Sequence, residues 1–320
     1  MEPSITGIDA LRERYGIPGA VRFEAGSNEL PRIVVTTPHA EAELYLHGAH
    51  LTRYQPRGER PVLFLSAQSR FAPNAPIRGG VPIVFPWFGP RAGDPAAPMH
   101  GFVRTQAWRV ETVAQAPDGQ VAVTLGLDCT GSAPGGWSAV FALRFHVRVG
   151  SQLEFTLEAR NPSATPLTFE EALHTYLAVG DVRQVTVTGL AGTSFIDKTD
   201  GMRRKVETSG PIRLTGETDR VYLGTRSTCT VEDPAWSRRL VVEKSGSEAT
   251  VLWNPWVAKA TAMPDFGDDE WPRMLCIETT NVANHAVTLQ PGQHHELRAV
   301  IKSEPLHGAQ GPNWPQTVAT

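Results

Sequence analysis

From Val140 to Arg160 the chain places apolar residues at every second position. Phe141, Leu143, Phe145, Val147 and Val149 alternate with Arg144, His146 and Arg148, and then Leu153, Phe155 and Leu157 alternate with Glu154, Thr156 and Glu158. A period of two lines up one face of an extended strand and smears around a helix, so this stretch reads as an antiparallel hairpin with one buried face. Both runs carry their apolar residues at odd positions, so cross-strand partners must have an even sum. A three-residue loop, Gly150-Ser151-Gln152, meets that condition by pairing Val149 with Leu153, whereas a two-residue loop would turn one strand's core face outward.

Similar alternation marks Arg32–Thr37, Gln120–Leu127 and Val182–Thr188. It also suggests hairpins joining Leu240–Glu243 to Ala249–Trp253 across Ser245-Gly246-Ser247, and Val287–Leu289 to His295–Ile301 across Pro291-Gly292. Glycine and proline together make about 17% of the chain, against an average near 12%, and they fall between the short runs. Only Ile8–Tyr15, with Asp9 near its start and Gly16 after it, reads as a short helix. Long amphipathic helices do not alternate with the strands, which disfavours a doubly wound α/β fold or a TIM barrel and points to an antiparallel β-sandwich. No repeat and no Gly/Ser linker splits the chain, so residues 1–302 read as a single domain. Residues 303–320, polar and rich in proline and glycine, read as a loosely ordered tail whose Trp314 docks locally.

Charge and motif content narrow the chemistry. Thirty Lys+Arg against 33 Asp+Glu give a formal net charge of −3, without the basic footprint of a nucleic-acid-binding protein. No apolar run is long enough for a membrane span, and the start lacks the pattern of an export signal. Cys129, Cys229 and Cys276 are too few for a disulfide framework and lack zinc-ligand spacing, so a reducing cytoplasm fits. The chain contains no GxGxxG, GxxxxGK[ST], GxSxG or HExxH. His47, His50, His285, His294 and His295 could be grouped as metal ligands, but no shared strand or helix face supports this, and they read as surface or hairpin histidines. A monomer is the default expectation, with an exposed strand edge able to support a dimer.

Four segments remain chemically unusual. Residues 77–90, Ile-Arg-Gly-Gly-Val-Pro-Ile-Val-Phe-Pro-Trp-Phe-Gly-Pro, combine glycines that permit close backbone approach with prolines that fix φ. Their aromatic rings could wall a pocket into which Arg78 presents a forked donor. Alone, Arg78 is as compatible with a buried structural arginine. His100 and Arg104 flank a glycine turn, and His174 lies within an apolar run from Phe169 to Gly180; alone, each histidine reads as a hydrogen-bonded core residue. Glu278 is the one charge in Met274–Asn281, sharing a face with Cys276 and Thr280. A carboxylate so placed is costly unless paired, which favours a functional role. Asp197-Lys198 and Trp253-Asn254-Pro255-Trp256 add polar and stacking groups that equally suit turns and core.

Taken in order, the stretches at 78–90, 100–104 (HGFVR), 170–181 (EEALHTYLAVGD), 195–198 (FIDK) and 276–282 (CIETTNV) resemble the aldose 1-epimerase superfamily, most closely its hexose-6-phosphate mutarotase branch. The resemblance implies a galactose-mutarotase-like β-supersandwich that interconverts the α and β anomers of a hexose 6-phosphate, with no cofactor and no metal. It implies His174 as the acid that protonates the ring oxygen and Glu278 as the base that takes the proton from the anomeric hydroxyl. His100 and Asp197 would hold sugar hydroxyls or the ring, and Arg78 and Arg104 would face the phosphate. A histidine of ordinary pKa ~6.5 beside a carboxylate of ~4.3 would be held protonated while the carboxylate stays ionised. Rival readings are an aldose 1-epimerase of unphosphorylated sugars and a non-catalytic carbohydrate-binding sandwich using Trp87, Trp253 and Trp256. A glycosidase is disfavoured because only Glu278 stands out where two carboxylates are needed.

Overall fold

The computed structural model describes residues 7–131 and 137–306. The hairpin forms as its alternation requires: Val140–Val149 pairs antiparallel with Leu153–Arg160, with Val149 opposite Leu153. Phe141, Leu143, Phe145, Val147 and Val149 are all buried, as are Leu153, Phe155 and Leu157 on the partner strand. Burying each such side chain stabilises the fold by roughly 1.5–3 kcal/mol.

This hairpin lies within an eight-stranded antiparallel sheet. Its order is Thr186–Thr188, Cys229–Asp233, Arg238–Ser245, His294–Pro305, Leu153–Arg160, Val140–Val149, Val121–Thr130 and Arg109–Gln115. A second sheet runs Arg203–Val206, Ser194–Asp197, Thr218–Leu223, Ala249–Asn254, Met274–Asn281, Glu171–Leu173 and Ile83–Val84, with Tyr176–Ala178 also pairing against Met274–Asn281. A four-stranded sheet from Val21–Ala25 to His50–Pro56 and a two-stranded pairing of Leu167–Phe169 with Val287–Leu289 complete the architecture. The described α-helices are short, Ile8–Tyr15 and Trp256–Ala262. None is long and apolar enough to cross a membrane.

Two expected hairpins are absent. Arg238–Ser245 pairs with Cys229–Asp233 and His294–Pro305 in the first sheet, while Ala249–Asn254 pairs with Thr218–Leu223 and Met274–Asn281 in the second. The turn at 245–248 therefore carries the chain from one sheet to the other. Lys244 fastens this crossing by donating to the carbonyls of Thr225 (2.8 Å) and Ala249 (2.7 Å) and to Ser247 Oγ (3.0 Å). Likewise Val287–Leu289 pairs with Leu167–Phe169, and not with the strand that follows it. Turn residues announce a reversal of the chain but do not select the neighbouring strand. Of Val182–Thr188 only Thr186–Thr188 is strand, and the final strand continues to Pro305, past the boundary expected at 302. Trp314 lies outside the described residues.

All eight residues of Met274–Asn281 and all six of Ala249–Asn254 are buried, so the centre of the second sheet is covered on both faces. Residues directly opposite in an antiparallel pair share a face. The register places Asp219 opposite Trp253, Val251 opposite Glu278, and Cys276 opposite both Trp253 and Tyr176. One face of this sheet therefore gathers Asp219, Val251, Trp253, Tyr176, Cys276 and Glu278. Because Phe145 is fully buried at the centre of the first sheet, Phe145→Ala is expected to lower unfolding free energy by about 3–5 kcal/mol. Urea unfolding followed by far-UV circular dichroism measures this, and a loss below about 1 kcal/mol would contradict the assigned core face.

Candidate active site

A cavity of about 250 Å³ opens on the face just described, floored by His174, Tyr176, Asp219, Trp253 and Glu278. Loop residues Phe88, Gly89, Met99 and His100 form one wall, and Lys259 and Met263, from the short helix and its end, form another. Somewhat larger depressions lie elsewhere, but in the one on the first sheet Arg298 is paired with Glu154 at 2.9 Å, and its histidine, His146, lies 3.5 Å from Glu158 with both side chains partly exposed, not buried as in the cavity.

The loop wall is built by residues that only a tight backbone accommodates. Gly101 has φ +72°, and a Cβ there would lie 1.9 Å from the Phe85 carbonyl oxygen; Gly80, φ +61°, would meet the Leu51 oxygen at 2.2 Å. These close approaches explain Gly80, just before the apolar run, and Gly101, in the turn between His100 and Arg104. Glu170, which has no evident role in the sequence, accepts hydrogen bonds from the Phe88 N–H (2.9 Å) and the Ala283 N–H (2.7 Å). It thereby pins the cavity wall to the end of the strand carrying Glu278. Its neighbour Glu171 is fully buried, accepts from Asn281 Nδ2 at 2.8 Å and lies 3.1 Å from His295 Nε2.

His174 Nε2 lies 3.3 Å from Glu278 Oε1. The imidazole stacks on Tyr176 with centroids 4.8 Å apart and meets the edges of His100 and Trp253. His174 is not a satisfied core histidine, because its Nδ1 and Glu278 Oε2 are both buried without a hydrogen-bond partner among the described residues. Burial, reinforced by the charges of Arg104 and Arg78, pushes the His174 pKa well below its ordinary value. Burial and the nearby Asp219 push Glu278 well above the carboxylate range, against the pull of Lys198. Both effects favour the neutral forms, so the pair shares one proton with its resting place on the carboxyl group. Both directions run against the expectation of an imidazolium beside a carboxylate, and burial is the largest cause of each.

His100 also lines the cavity. Its Nδ1 accepts the Gly89 N–H at 3.1 Å, which assigns the ring proton to Nε2. Burial and Arg104 hold its pKa well below the ordinary value. Arg78 reaches the cavity, but its guanidinium donates to Asp265 Oδ2 (3.0 and 3.2 Å) and to the Tyr176 hydroxyl (3.1 Å). Arg104 does not form part of the lining. Its buried guanidinium donates to the Met99 carbonyl at 2.6 Å, and burial with the Arg78 charge lowers its pKa to about 10. It acts on the histidines as a charge behind the wall.

Asp197 is not brought to the cavity: its carboxylate is held by Lys205 (2.7 Å) and Thr199 (2.6 Å). Ile196 faces Val221, which shares the cavity face, so Asp197 points to the opposite side and the next residue, Lys198, points in. Lys198 Nζ lies 3.3 Å from Asp219 Oδ2 and 5.4 Å from the Phe88 ring centroid. Lys259 pairs with Glu217 at 3.0 Å. Asp219 and Lys259 thus join the site without having been singled out in the sequence, as do Lys198, named there only as a polar group beside Asp197, and Tyr176, quoted there only within residues 170–181. Of the three tryptophans of a stacking platform only Trp253 lines the cavity; Trp87 donates to the Pro98 carbonyl, and Trp256 packs on Trp271. His47 and His50, read from the sequence as surface or hairpin histidines, are instead buried and bond to the backbone carbonyls of Ala75 and Gly79.

A family model for aldose 1-epimerase matches residues 31–302, and the chain belongs to that family. It is an isomerase of the mutarotase type. An Escherichia coli K12 protein provisionally named glucose-6-phosphate 1-epimerase is 37% identical over 283 residues, covering 88% of this chain and 90% of the relative. The crystal structure of a provisionally named mutarotase, YeaD, from Salmonella typhimurium superposes with a TM-score of 0.84 at 31% identity, covering 95% and 97% of the two chains. Galactose 1-epimerase from Lactobacillus acidophilus, at 16% identity with 90% and 99% covered, shares the fold with a TM-score of 0.70.

The shifted His174 pKa has a spectroscopic consequence. In the free protein, 15N imidazole spectra are expected to show His174 neutral from pH 8 down to below the ordinary ~6.5. A ring already cationic at pH 7 would contradict the neutral pair.

Proposed function

We propose that the protein interconverts the α and β anomers of a hexose 6-phosphate, with His174 and Glu278 as its acid–base pair. The observation that carries this reading is the 3.3 Å contact of two buried, proton-sharing groups on the floor of a cavity rimmed by cations. Opening a cyclic hemiacetal needs a proton removed from the anomeric hydroxyl and a proton delivered to the ring oxygen. These oxygens are bonded to one carbon, so an acid and a base in mutual contact can serve both. One member accepts as the other donates, the ring C–O bond breaks, and the open aldehyde rotates about C1–C2 before the roles reverse.

The reactive arrangement, His174 cationic and Glu278 anionic, differs from the resting pair by one proton transfer. Hydrogen bonds from bound hydroxyls to the orphaned Glu278 Oε2, together with the nearby Lys198 charge, favour that carboxylate. His174 then acts as the acid toward the ring oxygen, and His100 Nε2–H is available to a sugar oxygen. Each positioned proton transfer contributes typically ~10²–10⁴-fold.

Phosphate specificity rests on the rim. Lys198, Lys259 and Arg78 line the cavity, and Arg104 adds positive potential from behind. A phosphate dianion would compete with Asp219 and Glu217 for the lysines, which suits these point-charge donors better than the already occupied Arg78 fork. Direct phosphate contact by Arg104, and sugar contact by Asp197, are not features of this geometry. We place the activity in the cytoplasm, where the free thiols of Cys129, Cys229 and Cys276 stay reduced.

Saturation-transfer NMR of anomer exchange on glucose 6-phosphate and on glucose tests the substrate class. The phosphorylated sugar is expected to exchange faster at equal concentration, and Lys198→Met to raise its KM at least ~10-fold, about 1.4 kcal/mol. Equal exchange of glucose, with KM unmoved in Lys198→Met, would assign the protein to unphosphorylated aldoses.

A further inference from the structure

Cys276 lies two residues before Glu278 on the same strand face, and the register puts it opposite Tyr176 and Trp253, beneath the cavity floor. The acid–base chemistry does not use it. A ring nitrogen of His174, Cys276 Sγ and a Glu278 oxygen all lie within 4.8 Å of one another. The three residues are 7%, 0% and 1% exposed, and one polar atom of His174 and one of Glu278 are buried without a partner.

We propose that His174, Cys276 and Glu278 form a site for a thiophilic divalent cation of the zinc class, whose occupancy switches the enzyme off. Nitrogen, sulfur and carboxylate oxygen are the donor types of zinc sites, with bonds of about 2.0–2.1, 2.3 and 2.0–2.2 Å. Tetrahedral bonds of those lengths separate nitrogen from oxygen by about 3.3 Å and nitrogen from sulfur by about 3.5 Å. The His174–Glu278 contact, at 3.3 Å, already has the first spacing, and small side-chain movements bring the sulfur to the second. The cavity above leaves room for water or a sugar hydroxyl as fourth ligand.

The charge balance is favourable. The dication is neutralised by one thiolate and one carboxylate, and any protons these ligands carry pass to solvent. Two anionic donors balance the dication, so the bound cation leaves no uncompensated charge in the buried site. Metal and proton compete for the same atoms, and an occupied site cannot shuttle protons. The inhibition rests on the acid–base reading of His174 and Glu278; the binding itself does not.

The test combines two readouts on the full chain. Cobalt(II) is expected to bind with near-UV thiolate-to-metal absorption that is lost in Cys276→Ser and Cys276→Ala. Zinc ion is expected to inhibit glucose 6-phosphate anomer exchange reversibly, with EDTA restoring it. The variant that retains the wild-type melting temperature should exchange anomers normally while losing zinc sensitivity by more than ~10-fold. Inhibition unchanged in both variants, or cobalt binding without the thiolate band, would overturn the site. Cobalt and zinc binding with the thiolate band but no effect on exchange would leave the metal site standing and overturn the switch, together with the catalytic role of the pair.

Discussion

The site depends on the hydrogen-bonded register of Met274–Asn281. That strand pairs with Ala249–Asn254 on one side and with Glu171–Leu173 and Tyr176–Ala178 on the other. The interval between those two short segments, Leu173 to Tyr176, contains His174, whose own N–H is tied to the Pro82 carbonyl at 3.0 Å. A shift of one residue in this pairing would turn Glu278 away from the cavity and bring Ile277 into its place. Burial of all eight residues makes such a slip costly, so the packing that stabilises the second sheet also fixes the His174–Glu278 contact.

The same burial sets the electrostatics. A carboxyl and an imidazole out of water are both driven toward neutrality, and two arginines near the histidine deepen the effect. The proposed acid–base role draws on this: a pair without a large standing charge suits a reaction in which one proton leaves and one enters at two oxygens bonded to a single carbon. The cost falls on stability: below pH ~4.5, where the unfolded Glu278 is also protonated, its burial carries no ionisation penalty, and as pH rises toward its elevated folded value the unfolded state gains relative to the native one.

Much of the fold was legible because period-two alternation marks strands directly, as in Val140–Arg160 with its three-residue turn. Strand partners were not, and the runs at 240–243 and 249–253 went to different sheets because alternation states which residues share a face, never which strand lies beside them. The site divides along the same line. His174, Glu278, His100 and Arg78 lie at the cavity, where short recognisable segments place them. Asp197 and Lys198 show the limit: adjacent residues on a strand point oppositely, and only the pairing of Ile196 with Val221 decides which one faces the cavity. Asp219 and Lys259 belong to segments without a motif, while Glu170 acts through backbone N–H groups that no sequence pattern names.

The central claim is that His174 and Glu278 form one proton-sharing unit, and a kinetic cycle tests it most directly. Anomer-exchange rates for the wild type, His174→Asn, Glu278→Gln and the double variant are compared at neutral pH. A unit predicts that each single substitution lowers kcat by at least ~10²-fold and that the double variant is about as slow as the slower single one. Losses that multiply in the double variant, or a single variant of near wild-type rate, would contradict the account.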